Sequence, residues 1–185
     1  MIRIAQTENG LVRGIEAADP RITAFKGIPF AAPPVGENRW RAPQPAADWD
    51  GVLECYKFAP ISMQEIPGED PNAFYSKEWH VDPEIPMSED CLQLNVWTPA
   101  KKADEKLPVM VWIFGGGLQG GHPAEMEFDG ERIARRGVVL VSVNYRVNSF
   151  GFLTHPELTD AAKQFVAFLY SDKACEIFAN NVVDG

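Results

Sequence analysis

Five glycines fall within seven residues, Gly115, Gly116, Gly117, Gly120 and Gly121, directly behind the apolar run Val109-Met110-Val111-Trp112-Ile113-Phe114. The run reads as a buried strand. A strand that empties into glycine stops being a regular element, because glycine lets the backbone turn left-handed and lets other atoms come close. Such a bend leaves main-chain N–H groups uncovered at the carboxyl edge of a sheet, where open α/β sheets place their ligands. Uncovered N–H groups hold negative charge, either a phosphate or the oxyanion of an ester under attack. For the first, Gly115-Gly116-Gly117-Leu118-Gln119-Gly120 fits the dinucleotide pattern G-x-G-x-x-G. That reading needs the loop to open directly into a helix and an acidic residue to close the next strand. Instead Gly121-His122-Pro123 intervenes, and Asn144-Tyr145-Arg146 stands where the acidic residue belongs.

The 185 residues suffice for a substantial core, and 45% of them are hydrophobic, as in globular rather than disordered chains. A net charge of −9 argues against nucleic acid or an anionic membrane as partner, because both require basic patches. No apolar stretch approaches the roughly 20 residues that span a bilayer. The first residues, Met1-Ile2-Arg3-Ile4-Ala5-Gln6, lack the apolar core of a secretory signal, and the expected location is cytoplasmic. Cys55, Cys91 and Cys175 are widely spaced, as are His80, His122 and His155. This is not the spacing of a metal site, so neither metal nor cofactor is expected.

The segments Ile2 to Gln6 and Leu11 to Ile15 flank a Glu8-Asn9-Gly10 turn and predict a hairpin, with Ile22 to Phe30 as a third strand. Residues 31 to 88 are rich in proline and aromatics and predict an extended, surface-wrapping segment. Within it, Phe74, Tyr75 and Trp79 either edge the mouth of a pocket or pack against the sheet. Leu92 to Trp97 alternates like a strand, and Val138 to Val143 is continuously apolar, like the run before the glycines. A short helix over residues 129 to 136, closed by Gly137, joins the last two strands. Two strands buried on both faces and joined through a helix form a parallel pair, and this places the sheet centre there. Residues 161 to 170 and 172 to 180 predict two helices, with Ser171 as an N-cap.

Six blocks, in order, resemble the amino-terminal part of the type-B carboxylesterases, the cholinesterase-like branch of the α/β-hydrolases. They are Phe25-Lys26-Gly27-Ile28-Pro29-Phe30 through Gly36, Arg39-Trp40-Arg41-Ala42-Pro43, Trp49-Asp50-Gly51-Val52, Ser88-Glu89-Asp90-Cys91-Leu92-Gln93-Leu94-Asn95-Val96-Trp97, Phe114-Gly115-Gly116-Gly117, and Asn144-Tyr145-Arg146 with Phe150-Gly151-Phe152-Leu153. The resemblance implies an incomplete α/β-hydrolase fold, with amino-terminal antiparallel strands leading into parallel central strands. Residues 1–158 would form that domain. Residues 159–185 would form a divergent helical tail with a faint likeness to the closing helices of bacterial solute-binding proteins.

The same resemblance implies hydrolysis of a small-molecule carboxylic ester through a serine acyl-enzyme. The amides of Gly116 and Gly117 would form the oxyanion hole, and Arg39 and Glu89 an ion pair pinning the wrapping segment to the core. In secreted members a cysteine equivalent to Cys91 is bridged to one slightly upstream. That partner would fall near Ser62, Cys55 sits too early, and no disulfide is expected. The nucleophile elbow requires Gly-x-Ser-x-Gly, and no serine or cysteine here has glycines two residues away on both sides. The acid and the histidine of a triad are likewise expected beyond these residues, and His155 matches a loop position, not the base. The isolated chain is therefore expected to be inactive, the alternative function being that of a truncated or fused fragment acting at most as a binding module. Its central strands would expose an edge through which it self-associates.

Overall fold

The computed structural model describes residues 1–65 and 85–153, together with Asn72 and Phe74. Eight strands form two sheets: β1 (Ile4–Gln6), β2 (Leu11–Arg13), β3 (Ile15–Glu16), β4 (Thr23–Pro29), β5 (Val52–Glu54), β6 (Gln93–Thr98), β7 (Val109–Trp112) and β8 (Val139–Val143). The smaller sheet runs β1-β2-β5 and the larger β3-β4-β6-β8-β7. The described residues also include the short helices α1 (Glu131–Ala134) and α2 (Asn148–Phe152) and two 3-10 turns at Gly36–Asn38 and Met126–Phe128. Among the described residues these are mixed sheets with few helices, consistent with an incomplete α/β fold.

The first hairpin forms through local chemistry. The Thr7 hydroxyl accepts from the amides of Asn9 and Gly10 and donates to the Gly10 carbonyl, so the turn satisfies its own polar groups. Ile4 then pairs with Arg13 and Gln6 with Leu11. The second strand does not run on to Ile15 as the sequence suggested. Gly14 is pressed against the neighbouring strand, where a Cβ would stand 2.7 Å from the Ala24 carbonyl oxygen, and the chain there passes from one sheet to the other. The wrapping segment contributes a strand that periodicity did not reveal, β5, which pairs in parallel with β2.

In the larger sheet β6 runs antiparallel to both of its neighbours, β4 and β8, and of the paired strands only β7 and β8 are parallel. Alternation along β6 sends Leu94 and Val96 to one face and Trp97 to the other. On the first face they meet Val12, Phe25, Ile28, Val139, Val141 and Val143. On the second, Trp97 packs with Ile22, Ala24, Leu140 and Ala134 of α1. Each such side chain, fully buried, is worth about 1.5–3 kcal/mol. Gly130 opens α1 because a Cβ there would stand 2.6 Å from Leu140 and 2.7 Å from Trp97.

Two expectations are corrected here. The helix is a single turn, Glu131–Ala134, rather than residues 129 to 136. The first apolar run is not buried on both faces: β8 is buried throughout, but Met110, Val111 and Trp112 of β7 are exposed. Among the described residues β7 is the edge strand, with β8 on one side and no strand on the other. Tyr75, Trp79, His80, His155, Cys175 and the whole 159–185 segment lie outside the described residues.

Candidate functional site

The glycine loop begins where β7 ends. Phe114 is buried and Gly115 to Gln119 are exposed at the carboxyl edge of the sheet. Three of the loop glycines take left-handed backbone, Gly116 (φ 140°), Gly117 (φ 62°) and Gly121 (φ 100°). Gly116 is irreplaceable on steric grounds, because a Cβ would lie 2.0 Å from the Gly120 carbonyl oxygen. Gly121 is equally tight, with a Cβ 2.4 Å from the Gly115 oxygen. At Gly117 a Cβ would meet open space, and its positive φ is the reason for glycine. The requirement at Gly116 is thus internal packing of the bend. Leu118 also takes positive φ, 67°, which is costly for a bulky residue and shows how firmly its surroundings fix the loop.

Several groups hold the bend. The Tyr145 hydroxyl donates to the Phe114 carbonyl at 2.5 Å, and the two rings stack at 4.2 Å. The Asn148 amide donates to the Leu118 carbonyl at 2.7 Å. The Gln64 side chain accepts from the Gly121 amide at 2.8 Å and donates to the Gly121 carbonyl at 3.1 Å. Inside the bend the Gln119 and Gly120 amides donate to the Gly116 carbonyl. The Gly116 and Gly117 amides, like those of Gly115 and Leu118, donate to no described residue, and all four residues are exposed. Uncommitted N–H donors on an exposed bend are groups of the kind that bind anions.

The neighbouring elements lock to one another around residues 144–152. The Val147 amide donates to the Ser62 hydroxyl, Arg146 donates to the Arg41 carbonyl, and the Trp40 indole donates to the Ser149 carbonyl while stacking on Phe150. Arg39 and Glu89 form a two-pronged pair at 2.5 and 2.7 Å across 50 residues of chain. The Arg39 guanidinium holds the Glu89 carboxyl below its ordinary range. This pair stands on the wrapping segment and takes no part in the glycine bend.

Ser62 lies against Cys91, its hydroxyl within hydrogen-bonding reach of the thiol. Cys55 and Cys91 are both buried and unlinked. Burial pushes the Cys91 thiol up to about 11 and the Cys55 thiol up to about 12, so neither is a nucleophile at neutral pH. Ser62 and Ser142 are buried and committed to Val147 and Asn95. His122 is fully buried behind the loop, and its amide donates to Glu125. Phe74 is 72% exposed.

Three residues that position the bend, Gln64, Tyr145 and Asn148, escaped assignment from sequence. Tyr145 stood in a recognised block but offered only its place at a strand end. Gln64 lies in a segment without periodicity, and nothing in the sequence links it to a loop 57 residues away.

A sequence model of the carboxylesterase family matches residues 2–164. The chain is 40% identical to a fumonisin B1 esterase of Sphingopyxis macrogoltabida over 168 residues, 90% of this chain and 28% of that protein. It is 41% identical to a cholinesterase of Mus musculus over 161 residues, 85% of this chain and 26% of the relative. With an acetylcholinesterase of Bungarus fasciatus it shares 39% identity over 158 residues, 84% and 26% of the two. The chain spans about a quarter of the length of these relatives.

Proposed function

This chain belongs to the carboxylesterase family, and we propose that its glycine bend is the oxyanion-binding part of a carboxylic ester hydrolase. In this reading the Gly116 and Gly117 amides donate to the oxygen of a small-molecule ester as its carbonyl carbon becomes tetrahedral. Each such donor contributes about 3–4 kcal/mol in comparable hydrolases. The supporting observation is that the Gly116 and Gly117 amides donate to no described residue, on an exposed bend that is anchored at Phe114, Leu118 and Gly121.

The reaction would follow the serine acyl-enzyme course: a serine oxygen attacks the carbonyl, the alcohol leaves, and water releases the acid. The sequence has no Gly-x-Ser-x-Gly, and the two buried serines among the described residues, Ser62 and Ser142, carry structural hydrogen bonds. The 185 residues by themselves should therefore not turn over, since loss of the triad costs a serine hydrolase about a million-fold. The outer edge of β7, unpaired among the described residues and with Met110, Val111 and Trp112 exposed, is the surface through which these residues alone would self-associate.

A chimaera tests the reading. Residues 1–158 replace the matching segment of an active carboxylesterase, and p-nitrophenyl acetate hydrolysis is measured with and without Gly116→Ala. The expected result is an active chimaera whose turnover falls about 10²–10³-fold on the substitution, while the unfused 185-residue chain stays at background. An active chimaera indifferent to Gly116→Ala, or serine-dependent turnover by the unfused chain, contradicts the proposal.

A further inference from the structure

We infer that Gln64 is the positioning residue of the glycine bend, orienting the peptide units that carry the proposed oxyanion donors. This role rests on the oxyanion reading above. Gln64 commits its carboxamide oxygen and both amide hydrogens here. Its Oε1 accepts from the Gly121 amide at 2.8 Å, and its Nε2 donates to the carbonyls of Gly121 and Ser62, each at 3.1 Å. A carboxamide offers one acceptor oxygen and two donor hydrogens, and all three are engaged. The orientation is therefore determined by its partners. Turned over, the amide would set N–H against N–H and oxygen against two carbonyls.

The planarity of the peptide bond carries this anchorage into the donors. Within one peptide unit the carbonyl of a residue and the N–H of the next point in opposite directions. By holding the Gly121 N–H, Gln64 fixes the unit that also contains the Gly120 carbonyl. That carbonyl oxygen packs onto Gly116, 2.0 Å from where a Cβ would stand. Conversely the Gly115 carbonyl packs onto Gly121, 2.4 Å from its would-be Cβ, and the same unit contains the Gly116 N–H. Two peptide units thus abut across the neck of the bend, and Gln64 grips one of them. With the Gly115 carbonyl turned in toward Gly121, the Gly116 N–H is turned out. Gly120 is shaped to the same purpose, since a Cβ there would stand 3.0 Å from the Gln64 oxygen.

No simple substitute meets these demands. Methionine has the length without the polar atoms. Glutamate accepts from Gly121 but, when ionised, sets negative charge against the Gly121 and Ser62 carbonyls. Protonated, it regains one donor. The pH dependence of a Gln64→Glu variant therefore separates positioning from mere space filling.

The test uses the 15N-labelled 185-residue chain and its amide spectrum. In the unmodified chain, the Gly121 amide and the Gln64 side-chain amide should be protected from hydrogen exchange. Their exchange at intrinsic rates overturns the inference whatever the variants do. In Gln64→Met, Gly121 exchange should accelerate at least tenfold and the Gly116 and Gly120 resonances should shift, with Val96 and Val141 in β6 and β8 unmoved. In Gln64→Glu, the Gly116 and Gly121 resonances should be displaced at neutral pH and return toward wild type as the carboxyl is protonated. The unmodified chain should show no such titration. Wild-type Gly116 and Gly121 resonances in Gln64→Met, or glycine resonances in Gln64→Glu that ignore pH, overturn it. The oxyanion reading fails on a different signal, protection of the Gly116 and Gly117 amides themselves.

Discussion

At the scale of single residues the molecule is governed by what burial does to polar groups. Cys55 and Cys91 are 1% and 0% exposed, and the loss of water around each thiol opposes its ionisation. Their values rise from 9.0 to about 12 and about 11. The direction of the linkage follows. Above pH 9 the unfolded chain releases these protons and the folded chain keeps them, so alkali favours unfolding. Stability from this source is complete below pH 9 and erodes as pH climbs toward 11. Thermal melts between pH 8 and 10.5 should show a falling midpoint, and replacing both cysteines by alanine should flatten that fall while lowering stability at pH 8. A double variant that retains the full alkaline slope contradicts the assignment.

Residue chemistry was only partly legible in the sequence. The glycine cluster announced an uncovered bend, but not which glycine served which purpose. Gly116 and Gly121 are fixed by contacts with each other's neighbours, and Gly117 by its backbone angle alone. Such distinctions depend on chain segments meeting in space, and no local pattern encodes them.

Among elements, the wrapping segment is the least regular and among the most consequential. It delivers Ser62 to Cys91 and Val147, Arg41 to Arg146, Arg39 to Glu89, and Gln64 to the glycine bend. Its composition of prolines and aromatics predicted extension over a surface, and that much could be read. Its partners could not, because an irregular segment has no period to define a face. The strands show the reverse. Alternation in β6 understated burial, since Asn95 is buried as well as Leu94 and Val96, whereas continuous apolarity in β8 reported it faithfully. The same signal misled in β7, since an apolar run records the environment a strand is suited to, and β7 has a neighbour on one side only among the described residues.

The Ser62–Cys91 contact supplies a test at this scale. Ser62→Cys should place two thiols face to face in a buried site. Under oxidising conditions a disulfide there closes a loop of about 30 residues and stabilises by about 3–4 kcal/mol. The expected outcome is loss of two titratable thiols and a raised melting temperature that reverts with reductant. Failure to oxidise, with the fold intact, would show that the wrapping segment does not run where it is described.

At the scale of the whole molecule, two sheets and an irregular wrap support one exposed bend. The antiparallel strands β4 and β6 and the buried strand β8 supply the platform. Family membership gives this arrangement its chemical context. The order of sequence blocks made that membership legible. The central claim is that the platform holds two main-chain donors open to solvent. Amide hydrogen exchange on the 185-residue chain, resolved at single glycines, tests it most directly. The account predicts near-intrinsic exchange at Gly116 and Gly117 beside slowed exchange at Gly121; protection of Gly116 and Gly117 equal to that of Gly121 would contradict it.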